Sequence, residues 1–496
     1  MTMTSLKLLS RNVDQLKILL VGLIRGVMSK EKELAKNTFI IGIGKLCTQF
    51  ITFLLLPLYT SLLRPDEFGI VDLLNTYVML LVPLFNWQFE NGMFRFLIDC
   101  RDDEKRKRTV YSTVILANIF QIILYLCFYV LFQSFISTDY KMFLAIDVAL
   151  NILLNTMLQF PRGNGDNFTY ALGSFLSAAT TLSLNVIFIV GMHLGAWGIF
   201  YGTMLSKMVT IIFLFFKTKS WKYISLQECS YACFKQIFKY SIPLVPNSVS
   251  WWVVGASDRT VISTFLGVAE NGIYSVANKF SSLFLTLYNI FHLSWTESVA
   301  VHINDDDSEE YINEIINESL LFFSAIGSGI MVLLPFVLPF LGNEYRNAYY
   351  QIPILILAVY FQIIVGLYSV IYTALKKTKE IMKTSVYAAI INVTLDLVLV
   401  NYIKIYAASI STLVAFQCMA FYRYFHVKRY INVRIKVMSL LFILLLGVLS
   451  GISYYTNTME MRISTAIAVI VISFIKNKKV IKDVLLMLAR VIKLIK

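Results

Sequence analysis

Residues 350–374, YQIPILILAVYFQIIVGLYSVIYTA, contain no charged side chain. An α-helix of about 20 apolar residues crosses a bilayer core about 30 Å thick, so this stretch is long enough to span one. The rest of the chain has the same character: of its 496 residues, 57% are hydrophobic and only 15% are charged, and the mean hydropathy is +0.69. These values differ greatly from those of soluble domains. The sequence therefore predicts an all-α polytopic membrane protein.

Outward from this stretch, thirteen further segments have a similar length and hydrophobicity. The chain is thus predicted to cross the membrane about fourteen times, with no outside segment large enough for a soluble catalytic domain. The predicted spans are 37–60, 70–92, 109–133, 141–161, 169–190, 195–216, 241–266, 273–300, 316–341, 350–374, 383–402, 404–425, 436–455 and 461–476.

The loops between the predicted spans differ sharply in basic charge. Alternate loops contain 31 Lys and Arg residues in total and the intervening loops contain 5, so both termini are predicted to be cytoplasmic. The acidic loop 304–310 is the exception, but acidic residues have little weight in this rule. The net charge of +14 is thereby explained by topology, and no nucleic-acid partner is expected.

The N-terminal residues 6–28 carry four basic side chains around a short apolar run and are predicted to form an interfacial amphipathic helix. Alternatively, translation starts at Met28. Cys229 and Cys233 have no second ligand pair nearby, so no metal site is expected.

An offset of 203 residues aligns the chain with itself without a gap. It places the second predicted span on the eighth, which indicates two parallel copies of six spans followed by two added helices. The matched pairs are Leu63 with Leu266, Glu67 with Glu270, Gly69 with Gly272, Ile70 with Ile273, Asn75 with Asn278 and Asn86 with Asn289. The predicted domains are an N-terminal segment 1–36, an N-lobe 37–217, a linker 218–240, a C-lobe 241–426, and residues 427–496 with the last two spans and a basic tail.

Four predicted spans carry a polar stripe at helical spacing. Polar side chains are costly in hydrocarbon, so these stripes are predicted to face a shared central cavity; the alternative is that they join helices by hydrogen bonds. The stripes comprise Lys45, Thr48, Gln49, Thr52 and Tyr59; Asp72, Asn75, Thr76, Pro83, Asn86 and Glu90; Asn247, Ser250, Ser257 and Asp258; and Ser275, Asn278, Lys279, Ser282, Thr286 and Asn289, continuing to Thr296 and Glu297.

Four basic residues are left inside the spans once the loops are counted: Lys45, Lys207, Arg259 and Lys279. Lys207 is expected to extend to the cytoplasmic interface. Arg259 follows Asp258, so an internal ion pair and a substrate role are both open. Lys45 and Lys279 have no acidic neighbour within a helical turn and are candidates for substrate binding.

Five acidic residues also lie inside predicted spans: Asp72, Glu90, Asp147, Asp258 and Asp396. A carboxylate in a membrane cavity can be neutralised by a proton or a sodium ion, as ion-coupled transport requires. Asp72, Glu90, Asp147 and Asp258 are the candidates for ion coupling, although Asp147 could instead serve helix packing. No other cofactor is expected, because the sequence lacks the Gly-x-x-x-x-Gly-Lys loop that binds ATP phosphates.

Two stretches resemble a known family. The segments LPLYT (56–60) and PDEFG (65–69) are similar to the first-loop signature of bacterial polysaccharide flippases of the Wzx type. The segment YSIPLVP (240–246), Asp258-Arg259 and GIYSVA (272–277) look like the second half of the same family. Those flippases belong to the multidrug, oligosaccharidyl-lipid and polysaccharide exporter superfamily. The resemblance covers residues 29–430.

The resemblance implies two six-helix lobes that move an undecaprenyl-diphosphate-linked oligosaccharide, such as an O-antigen or capsule repeat unit, across the bacterial cytoplasmic membrane by alternating access. The expected partners are this lipid-linked oligosaccharide, membrane lipids and polysaccharide assembly proteins. Lys45 and Lys279 are similar in placement to the basic cavity residues of related flippases, though Lys replaces Arg. The expected substrate-binding residues are Lys45, Lys279, Arg259, Gln49, Asn278, Asn289, Trp251 and Tyr288.

Three other functions remain open from the sequence. A drug or small-molecule exporter of the same superfamily would share the fold but favour an acidic, aromatic cavity. A membrane-embedded polysaccharide polymerase or ligase would need a large outward loop, whereas every predicted outward loop is short. A purely structural or assembly protein would not need charged residues in the middle of its spans. The chain is therefore predicted not to be an enzyme.

Overall fold

A computed structural model describes residue 53 and residues 55–135, 138–303, 305–375, 377–478 and 482. The described residues are helical, apart from turns and loops, and form no strand. Residues 55–62 are helical and precede the first complete helix. The further α-helices are α1 (Pro65–Asn86), α2 (Phe89–Ile98), α3 (Glu104–Phe132), α4 (Lys141–Gly163), α5 (Asn167–Val186), α6 (Ala196–Lys217), α7 (Tyr231–Ser241), α8 (Leu244–Phe265), α9 (Val268–His302), α10 (Ser308–Val337), α11 (Ile352–Ala374), α12 (Thr378–Ile403), α13 (Tyr406–Val427), α14 (Val437–Tyr455) and α15 (Met459–Lys476).

The chain is an all-α polytopic membrane protein, as predicted. Within the described ranges, nine helices are long and apolar enough to cross a bilayer: α1, α3 to α6, α10 to α12 and α14, some with an added turn. The helices α8, α9, α13 and α15 coincide with four more predicted spans but are more polar. Most of the first predicted span, 37–60, and the segment 6–28 lie outside the described residues.

Capping groups explain where several helices begin. Pro65 stands at the first position of α1, where its missing N–H costs nothing, and Glu67 accepts a hydrogen bond from the Arg64 backbone N–H at 3.2 Å. Asp103 caps α3 by accepting from the Arg106 backbone N–H at 3.0 Å. Large apolar side chains on α3, such as Ile123 and Val130, are exposed, as expected for a surface that faces lipid.

The prediction of one continuous span over 70–92 is wrong. Trp87 and Gln88 both have left-handed backbone conformations, with φ of 53° and 58°, and they separate α1 from α2. Glu90 therefore lies on a different helix from Asp72, and the polar stripe predicted along this span is interrupted.

The sequence repeat divides the described helices into two halves. The N-terminal half comprises residues 55–62 and α1 to α6, and the C-terminal half comprises α8 to α13; α1 packs mainly against α9 and α8 of the other half. The amphipathic helix α7 lies between them in the chain and packs against α2 and α3, while α14 and α15 pack against α10. The proposed domain boundaries stay a prediction.

The two halves meet where α1 crosses α9. A Cβ added to Gly69 would lie 1.9 Å from the Val268 carbonyl oxygen, and one added to Gly272 would lie 2.0 Å from the Pro65 carbonyl oxygen. Gly69 and Gly272 are equivalent in the 203-residue repeat, and so are Pro65 and Val268. Each contact therefore recurs with the halves exchanged, which is the geometry of two repeats related by a twofold axis through the crossing.

Beside this crossing, the loop after α10 packs on the connection between residues 55–62 and α1. Tyr345 donates from its hydroxyl to the Leu63 carbonyl at 3.0 Å, and its ring contacts Phe68 edge-on. The backbone N–H of Gly342 donates to the Thr60 hydroxyl at 3.3 Å. These contacts close the gap between the halves at this end of the bundle.

Candidate functional site

A cavity of about 530 Å³ lies between the two halves, one helical turn from the glycine crossing. Its walls come from α1 of the N-terminal half and from α8, α9, α11 and α13 of the C-terminal half. The predicted polar stripes of α1, α8 and α9 meet here only in part. The polar and aromatic side chains of the lining are Asp72, Asn75, Thr76, Trp251, Asp258, Arg259, Tyr274, Asn278, Lys279, Ser281, Ser282, Gln362, Thr412 and Phe416.

Arg259 is the centre of a charged cluster in this cavity. Its Nε donates to Asp72 Oδ2 at 2.8 Å, and its Nη1 donates to the Gly255 carbonyl at 3.0 Å. Nη1 also lies 3.5 Å from Asp258 Oδ1. Because Asp72 belongs to α1 and Arg259 to α8, the first of these ion pairs joins the two halves. The internal pair expected from the neighbouring Asp258 is present, but the shorter bond is to Asp72, which the sequence did not suggest.

Asp258 is buried behind this pair and has its acceptors occupied. The Tyr274 hydroxyl donates to Oδ2, and the Arg259 backbone N–H donates to Oδ1 at 2.9 Å. Both Asp258 and Tyr274 are almost fully buried. A buried carboxylate needs such partners, and Asp258 is therefore a fixed counter-charge for Arg259.

Lys279 lines the same cavity and, among the described residues, forms no hydrogen bond or ion pair. It interacts electrostatically with Asp72 and Arg259. Asn278 and Trp251 also line the cavity, Trp251 with 40% of its surface exposed. The cluster of lining side chains therefore combines two bases, two acids, amides and an aromatic ring, which suits a ligand with both anionic and polar parts.

Two of the residues expected to bind substrate lie elsewhere. Tyr288 is almost fully buried in the C-terminal half, where its ring packs edge-on against Phe323 with centroids 5.4 Å apart. Asn289 is exposed and is not part of the cavity wall. Both lie on α9 after Leu285, the last residue of this helix in the cavity wall, so they are beyond the end of the cavity. Lys45 and Gln49 lie outside the described residues.

Glu90 and Asp147, predicted for ion coupling, are also outside the cavity. The Asn86 amide donates to Glu90, and Gln121 of α3 donates to the Asn86 carbonyl at 3.0 Å. Lys207 Nζ lies 2.5 Å from Oδ1 of Asp147, whose side chain is fully buried. The expectation that Lys207 reaches the cytoplasmic interface is wrong, because Asp147 on α4 is a buried counter-charge for the Lys207 ammonium on α6.

Arg423 is a buried base that the count of loop charges conceals, because it lies so near the end of a predicted span that it counts with the basic loop after it. The structure places it inside α13, fully buried. Its guanidinium donates to the Thr384 hydroxyl at 2.6 Å, to the Val365 carbonyl at 3.1 Å and to Ser369. Arg423 stands two residues before the end of the predicted span 404–425, and this position inside a span is the sequence feature that indicates burial. Arg423 joins α11, α12 and α13.

Asp396 on α12 is the fifth acidic residue inside the predicted spans and is not among the candidates for ion coupling. It is 1% exposed, and neither carboxylate oxygen has a hydrogen-bond partner in the part of the chain that the structure describes. It interacts electrostatically with Asp258. A buried carboxylate without a donor is costly when ionised, which favours a bound proton or cation.

Comparisons with known proteins fit this architecture. A family model described as polysaccharide biosynthesis protein matches residues 34–296. An uncharacterized membrane protein of Methanocaldococcus jannaschii, MJ1375, is 22% identical over 401 residues, covering 77% of this chain and 94% of that protein.

Among solved structures, an inward-facing multidrug resistance MATE family transporter of the MOP superfamily has a TM-score of 0.65 at 15% identity, covering 82% of this chain and 98% of that one. The lipid II flippase MurJ in an inward closed conformation has a TM-score of 0.65 at 16% identity, covering 90% of this chain and 99% of that one. The fold of this chain is therefore similar to that of these MOP superfamily transporters.

Proposed function

Because this chain belongs to the polysaccharide biosynthesis protein family, we propose that it is a flippase for an undecaprenyl-diphosphate-linked oligosaccharide, such as an O-antigen or capsule repeat unit. The observation that carries the proposal is the cavity between the halves, in which Arg259 and Lys279 offer cationic groups next to amides and Trp251. The diphosphate and glycan of such a cargo cannot cross hydrocarbon, whereas its polyprenyl tail need not leave it. A polar cavity between two helical halves meets both requirements.

The proposed mechanism is alternating access about the crossing of α1 and α9. The halves rock so that the cavity opens first to the cytoplasm and then to the outside, with both termini on the cytoplasmic side of the bacterial inner membrane. Contacts such as that of Tyr345 with Leu63 would separate in the outward-open state. Asp72 is the proposed coupling carboxylate, and the unpartnered Asp396 supports a proton or a sodium ion as the coupling ion.

Complementation tests this function. A bacterial strain that lacks its own polysaccharide flippase, and carries the glycan operon native to this protein, is given wild type, Lys45→Ala, Lys279→Ala or Lys235→Ala at equal expression. Lys235 is exposed on α7 and serves as the matched control. Wild type and Lys235→Ala should restore surface glycan, whereas Lys279→Ala and Lys45→Ala should not. Failure of wild type in this strain would exclude the flippase function, and restoration by every variant would exclude the two lysines as site residues.

A second candidate is a cation-coupled drug or small-molecule exporter of the same superfamily. The carboxylate of Asp72 and the exposed ring of Trp251 in the cavity favour it. The two functions differ in ligand charge. A purified exporter should bind an organic cation such as ethidium in competition with sodium or protons, whereas the proposed flippase should bind pyrophosphate and not ethidium.

A further inference from the structure

The ion pair between Asp72 and Arg259 is accessible from the cavity, whereas the pair with Asp258 is not. The side chains of Asp72 and Arg259 retain 14% and 13% of their exposure, against 3% for Asp258. Asp258 also has Tyr274 and the Arg259 backbone as partners. Of the two acids that hold Arg259, Asp72 is therefore the one that a ligand in the cavity can replace.

The guanidinium has a free edge for such a ligand. Asp72 accepts one hydrogen bond, from Nε, and among the described residues Nη2 of Arg259 donates none. The Nε and Nη2 hydrogens point in parallel and form the fork that matches two oxygens of a phosphate. A phosphate can thus form two bonds where Asp72 forms one.

We propose that the diphosphate of the cargo replaces Asp72 on Arg259, so that cargo binding breaks an ion pair that joins the two halves. The inference rests on the proposed function for the identity of the cargo, but only on the cavity geometry for the exchange. Lys279, on α9, lines the same cavity and supplies a second positive charge. Asp72 stands one turn after Gly69, so its release removes a tether next to the crossing about which the halves move. Empty protein is held by Asp72, and loaded protein is free to rock.

Binding of inorganic pyrophosphate to the purified full-length protein tests the exchange. Asp72→Asn removes the competing charge and should bind pyrophosphate at least tenfold more tightly than wild type. Arg259→Gln should lose binding at least tenfold. Asp66→Asn is the matched control, because Asp66 is an exposed acid on the same helix that pairs with Arg64 and not with the cavity. Its affinity should equal that of wild type.

A spin-label distance measurement tests the link to movement. Labels at Leu62 in the N-terminal half and Phe340 in the C-terminal half, both exposed, report the separation at the closed end. Pyrophosphate should broaden the distance distribution of wild type, and Asp72→Asn should show the broad distribution without ligand. Size-exclusion profiles of all variants establish that they are folded.

The outcomes separate this inference from the flippase function. If Asp72→Asn binds pyrophosphate no more tightly than wild type, or if neither binds it, the exchange is refuted whatever the complementation shows. If Asp72→Asn binds more tightly and its labels move apart while wild type fails to complement, the exchange stands and the cargo is a different anion.

Discussion

Replacement of Gly69 by Ala tests the closest contact between the two halves. The added Cβ would lie 1.9 Å from the Val268 carbonyl oxygen, whereas an ordinary carbon-to-oxygen contact is about 3.3 Å. The obstructing atom is backbone, so no rotamer change can relieve it, and α1 and α9 would have to separate by more than about 1 Å. We expect a loss of about 1–3 kcal/mol in unfolding free energy, the usual cost of overpacking.

The repeat makes this prediction sharper. Gly272→Ala meets the Pro65 carbonyl at 2.0 Å and should cost about the same. Because either change separates the same two helices, the double variant Gly69→Ala/Gly272→Ala should lose clearly less than the sum of the two single losses. Gly329→Ala is the control: Gly329 also lies in a helix, but a Cβ there meets nothing within 4 Å. This substitution should be neutral or stabilise by up to about 1 kcal/mol.

The assay is reversible unfolding of the purified protein in mixed micelles with increasing SDS, followed by tryptophan fluorescence. If Gly69→Ala is as stable as wild type, the close crossing of α1 and α9 is wrong. If the single losses simply add, the two glycines do not share one contact, and the twofold relation between the repeats fails.

Three further predictions use the same unfolding assay. Asp147→Leu and Lys207→Met should each lower the unfolding free energy by about 3–5 kcal/mol, because each leaves an uncompensated buried charge, whereas the double variant should lose much less. Equal losses in the single and double variants would contradict the ion pair. Arg423→Lys should lower the unfolding free energy by about 1–3 kcal/mol, since an ammonium cannot reach the Val365 carbonyl and the Thr384 hydroxyl together. A variant as stable as wild type would show that these hydrogen bonds do not join α11 to α13. Tyr454→Phe should cost about 0.5–1.5 kcal/mol through loss of its bond to the Tyr349 carbonyl at 2.6 Å, and no loss would mean that this bond does not fasten α14.

The hydrophobic spans could be predicted from the sequence because each helix in a bilayer must satisfy its own backbone and cover it with apolar side chains. That requirement leaves a local pattern of length and charge, which is why segments such as 350–374 coincide with a helix, Ile352–Ala374. The break after Asn86 is different in kind. It depends on two consecutive left-handed residues, Trp87 and Gln88, neither of which is a glycine or proline that would have marked the place.

The partners of buried charges could not be predicted, because they depend on how helices distant in sequence are placed in space. Lys207 has no acid near it on α6 and finds Asp147 on α4. Arg259 has Asp258 beside it, yet its shorter bond is to Asp72, far away in the sequence. Helical periodicity correctly put Asp72, Asp258 and Lys279 on inward-facing stripes, but it could not say where along a long helix such as α9 the stripe stops facing the cavity and Tyr288 enters the core.

The charges in the described cavity wall have an electrical consequence. Asp72 and Asp258 balance Arg259 and Lys279, so the wall contributes no net charge of its own when all four are ionised. A diphosphate carried in such a wall would move with its own negative charge exposed to the membrane potential. Since the cytoplasm is the negative side, outward movement of each negative charge is favoured by about 2.3 kcal/mol per 100 mV. Each coupling cation that moved outward with the cargo would cancel one such increment, and each that moved inward in exchange would add one. The direction and number of coupling ions would therefore determine how strongly the voltage across the membrane drives the cargo outward.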